Sequence, residues 1–252
     1  MKIVVVGGTG LIGKPLVELL RNAGHDVVPA SPSTGVNTLT REGVAEAFAG
    51  ADVVVDIPNS PLLEDEAVLE FFQTSTRTIV DAANFAGVGH HVVLSIVGAD
   101  RMPDIGYMRA KVAQENIVKN SGSPYSIVRA TQFFEFLAGI AEGTADEMTV
   151  RLSPVLMQPI AAADVSEVLA EVATTTPTNN TWELAGPEAL PIVELGRRVL
   201  TKAGDIRKIV TDPAVGYFGG NVNDTSLTPG NDPVLSHRLA TTSLDEWLSR
   251  TQ

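Results

Sequence analysis

Tyr107 and Lys111 stand four positions apart in "GYMRAKVAQENIV" (106–118), where a helical pattern opens. Residues four apart on a helix share one face, so a phenol and an ammonium at this spacing can reach the same ligand. A neighbouring cation draws a phenol below its ordinary pKa near 10, and a phenol so shifted is a general acid. Ala110, Ala113, Ile117 and Val118 fill the adjoining inward arc, with Arg109, Asn116 and Lys119 largely opposite. A lysine flanking an inward arc needs a reason, because an unpaired buried ammonium is costly. The plainer alternative is a helix start whose lysine snorkels to water. Upstream, Ser95 in "LSIVG" ends a strand pattern, and its hydroxyl is placed to polarise a substrate carbonyl.

A second constellation opens the chain. In "VVVGGTGLIG", Gly7, Gly10 and Gly13, with Thr9, Leu11 and Ile12 between them, follow one strand and begin one helix. Such a turn brings backbone close to a pyrophosphate, and the helix end supplies free N–H groups and a positive dipole. A tight turn without ligand is the alternative. The residues after the second strand, "PASPSTG", include Ser31, Ser33 and Thr34 but no carboxylate. An acidic residue here would bond a ribose 2′-hydroxyl and repel a 2′-phosphate, so its lack favours NADP(H) over NAD(H). Lys14 and Arg41 are possible charge partners, and an ordinary turn is again the alternative.

The elements that must carry these residues are legible as alternation. "KIVVV", "DVVPA", "DVVVDI", "HVVLSIV" and "YSIVRAT" are strand patterns, nearly continuous in apolar character as strands covered on both faces should be. Helical patterns lie between them, at about 11–23, 41–49, 64–87 and 107–121, several stopping at a glycine. This rhythm predicts an α/β fold, a Rossmann-type doubly wound parallel sheet. Residues 1–135 are expected to bind NAD(P), and 136–252 to form a smaller substrate-binding or lid portion, the two making one continuous structural unit. In the latter, Asp164 is expected to N-cap a helix with Glu167, and "NTWELAG" to form a strand. A helix should follow from Pro191 to about Ala203, and Ser243 with Glu246 should cap a last one. Residues 219–233 read as a lid or a surface excursion.

The 252 residues are 44% hydrophobic and 19% charged, a folding composition. The net charge of -12 disfavours nucleic acid and anionic membrane as partners. The chain has no cysteine, and its histidines, His25, His90, His91 and His237, lack metal-ligand spacing, so no metal is expected. His90-His91 reads as a strand entry. With no membrane-spanning run and no leader pattern, a cytoplasmic address is expected. The oligomeric state is not readable.

The order Gly7-x-x-Gly10-x-x-Gly13, Ser95, Tyr107-x-x-x-Lys111 resembles the short-chain dehydrogenase/reductase superfamily over residues 1–135. The loop spacing and "RATQF" (129–133) look more like its atypical branch of NmrA-like and NAD(P)H-binding oxidoreductases. The resemblance implies a Rossmann domain holding NAD(P)(H), Ser95 and Tyr107 around a substrate carbonyl, and Lys111 on the nicotinamide ribose. It extends the cofactor contacts to Pro58 and Thr131. The chain departs from the superfamily in having "DIPNS" in place of Asn-Asn-Ala-Gly. It has no helix asparagine at the proton-relay position, Asn84 being off-spacing, and "RAT" stands where many members have Arg-Pro. The leading expectation is an NADP-dependent reductase of a small carbonyl or quinone-like substrate, with Tyr107 as acid. The alternatives are an NADP-sensing binding protein without turnover and a nucleotide-sugar epimerase or dehydratase. Phe133, Phe134 and Phe136 line a pocket or join the core, and Gln132 orients a ligand or bonds to backbone.

Overall fold

The structure is a computed structural model describing residues 1–62, 64–230 and 237–250. Its strands are β1 (Lys2–Val6), β2 (Asp26–Ala30), β3 (Val53–Asp56), β4 (His90–Ile96), β5 (Tyr125–Ala130), β6 (Thr149–Leu152), β7 (Leu156–Met157), β8 (Asn180–Ala185), β9 (Leu190–Pro191), β10 (Lys208–Thr211) and β11 (His237–Leu239). The helices are α1 (Gly13–Asn22), α2 (Val44–Phe48), α3 (Asp65–Ala86), α4 (Gly106–Lys119), α5 (Leu137–Glu142), α6 (Ala162–Ala173), α7 (Ile192–Lys202) and α8 (Leu244–Arg250). A seven-stranded sheet runs in the order β11-β8-β5-β4-β3-β1-β2, a Rossmann-type α/β fold. β1 pairs in parallel with both β2 and β3, and β3 with β4. Connections from strand to parallel strand need a crossover, which the intervening helices supply.

Two compact units divide the chain. The first comprises Met1–Ser95, Gly106–Arg129 and Val165–Trp182, and the second Ile96–Ile105, Ala130–Asp164 and Glu183–Gln252. The chain passes between the units several times. In the first unit, Val4, Val54, Phe48 and Ile79 form one core cluster, and Val68, Phe72 and Ala110 another, joining α3 to α4. α3 buries Val68, Phe72, Ser75, Thr76, Ile79 and Ala83, the 3–4 spacing of an inward stripe. Gly87, with φ 71°, ends it in the left-handed conformation that glycine adopts without a Cβ clash.

In the second unit β6 pairs with β10 and β7 with β9. α6 begins at Ala162, two residues ahead of the Asp164 N-cap expected from the sequence. Asp164 instead accepts hydrogen bonds from Thr242, through the backbone N–H at 3.2 Å and the hydroxyl at 2.8 Å. Ser243 caps α8 as expected, its hydroxyl accepting from Glu246 N–H at 3.2 Å. Residues 219–230 are irregular and fastened: Arg101 donates to the carbonyls of Thr225 and Thr228, and Gly230 N–H donates to the buried Glu183 at 2.6 Å. Residues 231–233 of the expected lid lie outside the described residues. Among the described residues no helix is long and apolar enough to cross a membrane, and no cluster of His, Asp or Glu could hold a metal ion.

Candidate dinucleotide and acid site

The glycine loop is fixed by contacts that exclude side chains. Gly7 has φ 87°, and a Cβ there would lie 2.9 Å from Ile57 C and Pro58 N. A Cβ on Gly13 would lie 2.2 Å from Gly7 O, and one on Gly8 2.8 Å from Pro29 Cα. Gly10 differs: a Cβ there would meet only Gly7 O, at 3.3 Å. The exposed Gly10 and Leu11 and the partly exposed Thr9 form the outer lip, while Ile12 and Gly13 are buried. Ile12 holds the N-cap position of α1 and gives no side-chain cap, and the first turn carries no acidic residue. Among the described residues, the N–H groups of Leu11 and Ile12 have no backbone partner. An uncapped helix amino end beside an open glycine suits an anion, so these residues fit a dinucleotide pyrophosphate. Ser166, donating to Ile12 O at 3.0 Å, anchors the loop from α6. Pro58 sits in the turn after β3, backing onto Gly7.

After β2, Ser31 and Ser33 are engaged with their own turn. Thr34 Oγ1 accepts from Ser31 N–H at 2.9 Å, and the Ser31 and Ser33 hydroxyls are 2.9 Å apart. Arg41 pairs with Asp81 at 3.0 Å. The segment from Ser31 to Gly35 presents no carboxylate.

The inward face of α4 is where sequence and structure diverge most. It buries Met108, Ala110, Lys111, Gln114, Glu115 and Val118, with Tyr107 partly exposed at the helix start. Lys111 Nζ donates to Leu94 O at 2.8 Å and to Gln114 Oε1, and lies 4.4 Å from the centre of the Phe72 ring. Gln114 passes the contact on, donating from Nε2 to Asp56 at 3.1 Å. Burial pulls the ammonium down to about 8, against the raising influence of Asp56 and Glu115. Lys111 is thus 4% exposed and donates two hydrogen bonds inside the protein, without the snorkel that its position permitted.

Tyr107 stacks edge-on against Phe72, at 5.7 Å between ring centres, and its hydroxyl donates to Asn59 Oδ1 at 2.6 Å. Burial raises the phenol above its ordinary range. This corrects the expectation of a phenol lowered by Lys111: loss of solvation dominates at the hydroxyl, while the ammonium is spent on Leu94 and Gln114. Ser95 is also corrected. Its hydroxyl, 2% exposed, donates to Glu115 at 2.7 Å, so its proton is committed to a buried carboxylate rather than to a substrate carbonyl. Glu115 further accepts two bonds from Arg129, at 2.8 and 2.9 Å, and one from Lys119 at 3.0 Å. Those partners hold it below the ordinary carboxylate range, outweighing desolvation. The amino ends of α3 and α4 meet at Asp65, which takes a 2.6 Å bond from Arg109 and fills the space that a Cβ on Gly106 would occupy.

The structure therefore unites Tyr107, Lys111 and the glycine loop in one unit, and leaves Thr131 in the other. Sequence reasoning missed Gly8, Asp56, Asn59, Gln114, Glu115 and Arg129. Gln114 and Glu115 carried a signal, lying three and four residues beyond Lys111 on the same face.

A parallel sheet with an uncapped, glycine-flanked first helix defines the class of dinucleotide-binding Rossmann proteins. The chain belongs to the NAD(P)H-binding family, whose model matches residues 7–176. It is 28% identical over 222 residues to the NAD(P)H azoreductase of Xenophilus azovorans, covering 80% of this chain and 74% of that protein. It is 24% identical over 165 residues to the Photosystem II assembly factor Ycf39 of Cyanophora paradoxa, covering 60% and 51%. The chain spans about half the length of that assembly factor. Among solved structures, an NADPH-dependent quinone oxidoreductase from Escherichia coli in complex with NADPH aligns with TM-score 0.65 and 18% identity, over 88% of this chain and 78% of that one. That likeness is one of fold.

Proposed function

We propose that the protein is an NADP(H)-preferring reductase of a small carbonyl or quinone-like acceptor, with Tyr107 as general acid. The observation that carries this reading is the Tyr107 phenol, held protonated and hydrogen-bonded to a neutral amide, in the same unit as a helix end open to a pyrophosphate. When bound, the dinucleotide supplies the hydride. The backbone of Gly7–Gly13 holds its pyrophosphate, and the lack of a carboxylate after β2 admits a 2′-phosphate. Tyr107 turns its proton from Asn59 to the acceptor oxygen, so that a carbonyl gains hydrogen at carbon and at oxygen. The resulting phenolate is reprotonated from solvent at the partly exposed ring. Lys111, fixed by Leu94 and Gln114, keeps a positive charge beneath α4. The Xenophilus relative, an NAD(P)H azoreductase, supports reductive chemistry.

The test is oxidation of NADPH against a panel of quinones, aldehydes and azo dyes. Tyr107→Phe should lower turnover on the order of 100-fold or more, the usual worth of a general acid, with NADPH affinity unchanged. Equal turnover by the variant on every accepted substrate would remove the acid role. A cofactor-sensing protein without turnover is the second reading, favoured by the engagement of Lys111 inside the protein. Tight NADPH binding with no acceptor turned over would establish it.

A further inference from the structure

The Tyr107 phenol faces a difficulty that its immediate surroundings answer. Burial keeps it protonated, which stores a proton for transfer, but the phenolate left behind would carry its charge where solvation has been stripped away. The two donors that the sequence put nearby point elsewhere: Ser95 donates to Glu115 at 2.7 Å, and Lys111 to Leu94 O and Gln114. The group that touches the phenol oxygen is Asn59, whose Oδ1 accepts from it at 2.6 Å.

Asn59 sits in a turn whose backbone is held on either side. Ile57 N–H donates to Val6 O at 3.0 Å, tying the turn to β1, and Ser60 Oγ accepts from Leu62 N–H at 3.2 Å. Between them the ring of Pro58 fixes its own φ, and Ile57 C and Pro58 N abut Gly7 so closely that a Cβ there would lie 2.9 Å from each. One short turn thus packs against the glycine loop through Ile57 and Pro58 and holds the phenol through Asn59, all within the first unit. The tyrosine ring is steadied as well, by its edge contact with the fully buried Phe72. What stays free is one torsion. The Asn59 side chain is exposed, and the last torsion of an asparagine is soft and roughly two-fold. A half turn exchanges Oδ1 for Nδ2, an acceptor for a donor at the same place.

We propose that Asn59 is the positioning residue of the proton-transfer step, holding the phenol's hydrogen through Oδ1 before transfer and steadying the phenolate through Nδ2 after it. The Tyr107 O–H bond breaks as a new O–H bond forms on the acceptor oxygen, while the acceptor carbon takes the hydride that the cofactor supplies. The negative charge stays on the phenol oxygen until solvent returns a proton. Through that interval the amide is a donor already in place, and hydrogen bonds to a charged oxygen are the strong ones. This assignment rests on the reductase reading and gives its acid a second residue.

The experiment follows single-turnover oxidation of NADPH with benzaldehyde and with 1,4-naphthoquinone as probes. Asn59→Leu, which matches the side chain in size and lacks both polar atoms, should slow the transfer roughly tenfold or more, the worth of a hydrogen bond to a charged oxygen. The half-saturating probe concentration and the NADPH affinity should stay within about twofold, because Asn59 acts after both have bound. Asn59→Asp keeps an acceptor oxygen but has no donor, and should be at least as slow. In a Tyr107→Phe background Asn59→Leu should change nothing further, since it acts through the phenol. An unchanged rate in Asn59→Leu, a wild-type rate in Asn59→Asp, or a full tenfold loss on top of Tyr107→Phe overturns the assignment, the last making Asn59 a structural part of its turn. Should the wild type reduce no acceptor, or Tyr107→Phe match it, the reductase reading with its acid falls separately. The hold of Asn59 on the phenol is then judged by NMR of protein carrying tyrosine labelled with ¹³C at Cζ, where Tyr107→Phe identifies one of the three tyrosine signals. A shift of that signal in Asn59→Leu upholds the hold, and an unmoved signal refutes it.

Discussion

Replacing Lys111 with methionine should change how stability depends on pH more than it changes stability at neutrality. The ammonium is buried, and its pKa is pulled from an ordinary 10.5 to about 8. Between these values the unfolded chain keeps a proton that the folded chain has released, so unfolding free energy rises with pH. The span corresponds to about 3 kcal/mol, at roughly 1.4 kcal/mol per pH unit. Below pH 8 the wild type carries that whole burden; toward pH 10.5 the burden is relieved. Lys111→Met lacks it throughout, but leaves Leu94 O and Gln114 Oε1 without their donor, at about 1–3 kcal/mol each. Near pH 7 the opposing terms should leave the two proteins within a few kcal/mol. Urea unfolding of both proteins, at half-unit steps from pH 7 to 10.5, gives the difference directly and cancels every other titrating group. The wild type should gain about 3 kcal/mol on the variant across the range. A difference that is flat with pH would refute the burial of a charged Lys111, and with it the lysine's role as a fixed positive charge.

Other perturbations separate fold from site. Gly10→Ala should fold normally, since its Cβ meets only Gly7 O, but should weaken NADPH binding on the order of tenfold by filling the approach to the pyrophosphate. Gly13→Ala should instead destabilise by about 1–3 kcal/mol, seen as a lower urea midpoint. Glu115→Gln leaves Arg129 facing a neutral amide and should cost about 3 kcal/mol or more, a fall in Tm on the order of 6–12 °C by calorimetry. Because Glu115 has a lowered pKa, its contribution is complete above the ordinary carboxylate range and fades as pH falls through the folded value. The gap between Glu115→Gln and wild type should therefore narrow in acid.

The scaffold was legible because it rests on period and punctuation. The five strand patterns of the first 131 residues and the glycine-stopped helices between them recur in β1–β5 and α1–α4, with ends moved by a few residues. Gly7 and Gly13 were legible as glycines, but the Cβ distances that separate their packing role from the openness at Gly10 depend on where Ile57, Pro58 and Gly8 lie in space. The partners of the chemistry were hidden for a related reason. Tyr107 bonds to Asn59, 48 residues away, and Gln114 to Asp56, 58 away, contacts that a helical wheel does not contain. The wheel named a polar flank at Lys111 but not that Glu115 would be buried too. That depended on Arg129 arriving from β5 to neutralise it.

The crowded flank of Gly106 has a consequence for any attempt to redesign this protein. Asp65 Oδ1 lies 1.9 Å from where a Cβ would be, so alanine must turn the exposed Asp65 carboxylate aside and with it the ion pair to Arg109. The phenol is the next residue along. Libraries that vary Gly106 therefore probe a side-chain joint between two helix ends: the Asp65–Arg109 pair should loosen while the phenol keeps Asn59 and Phe72.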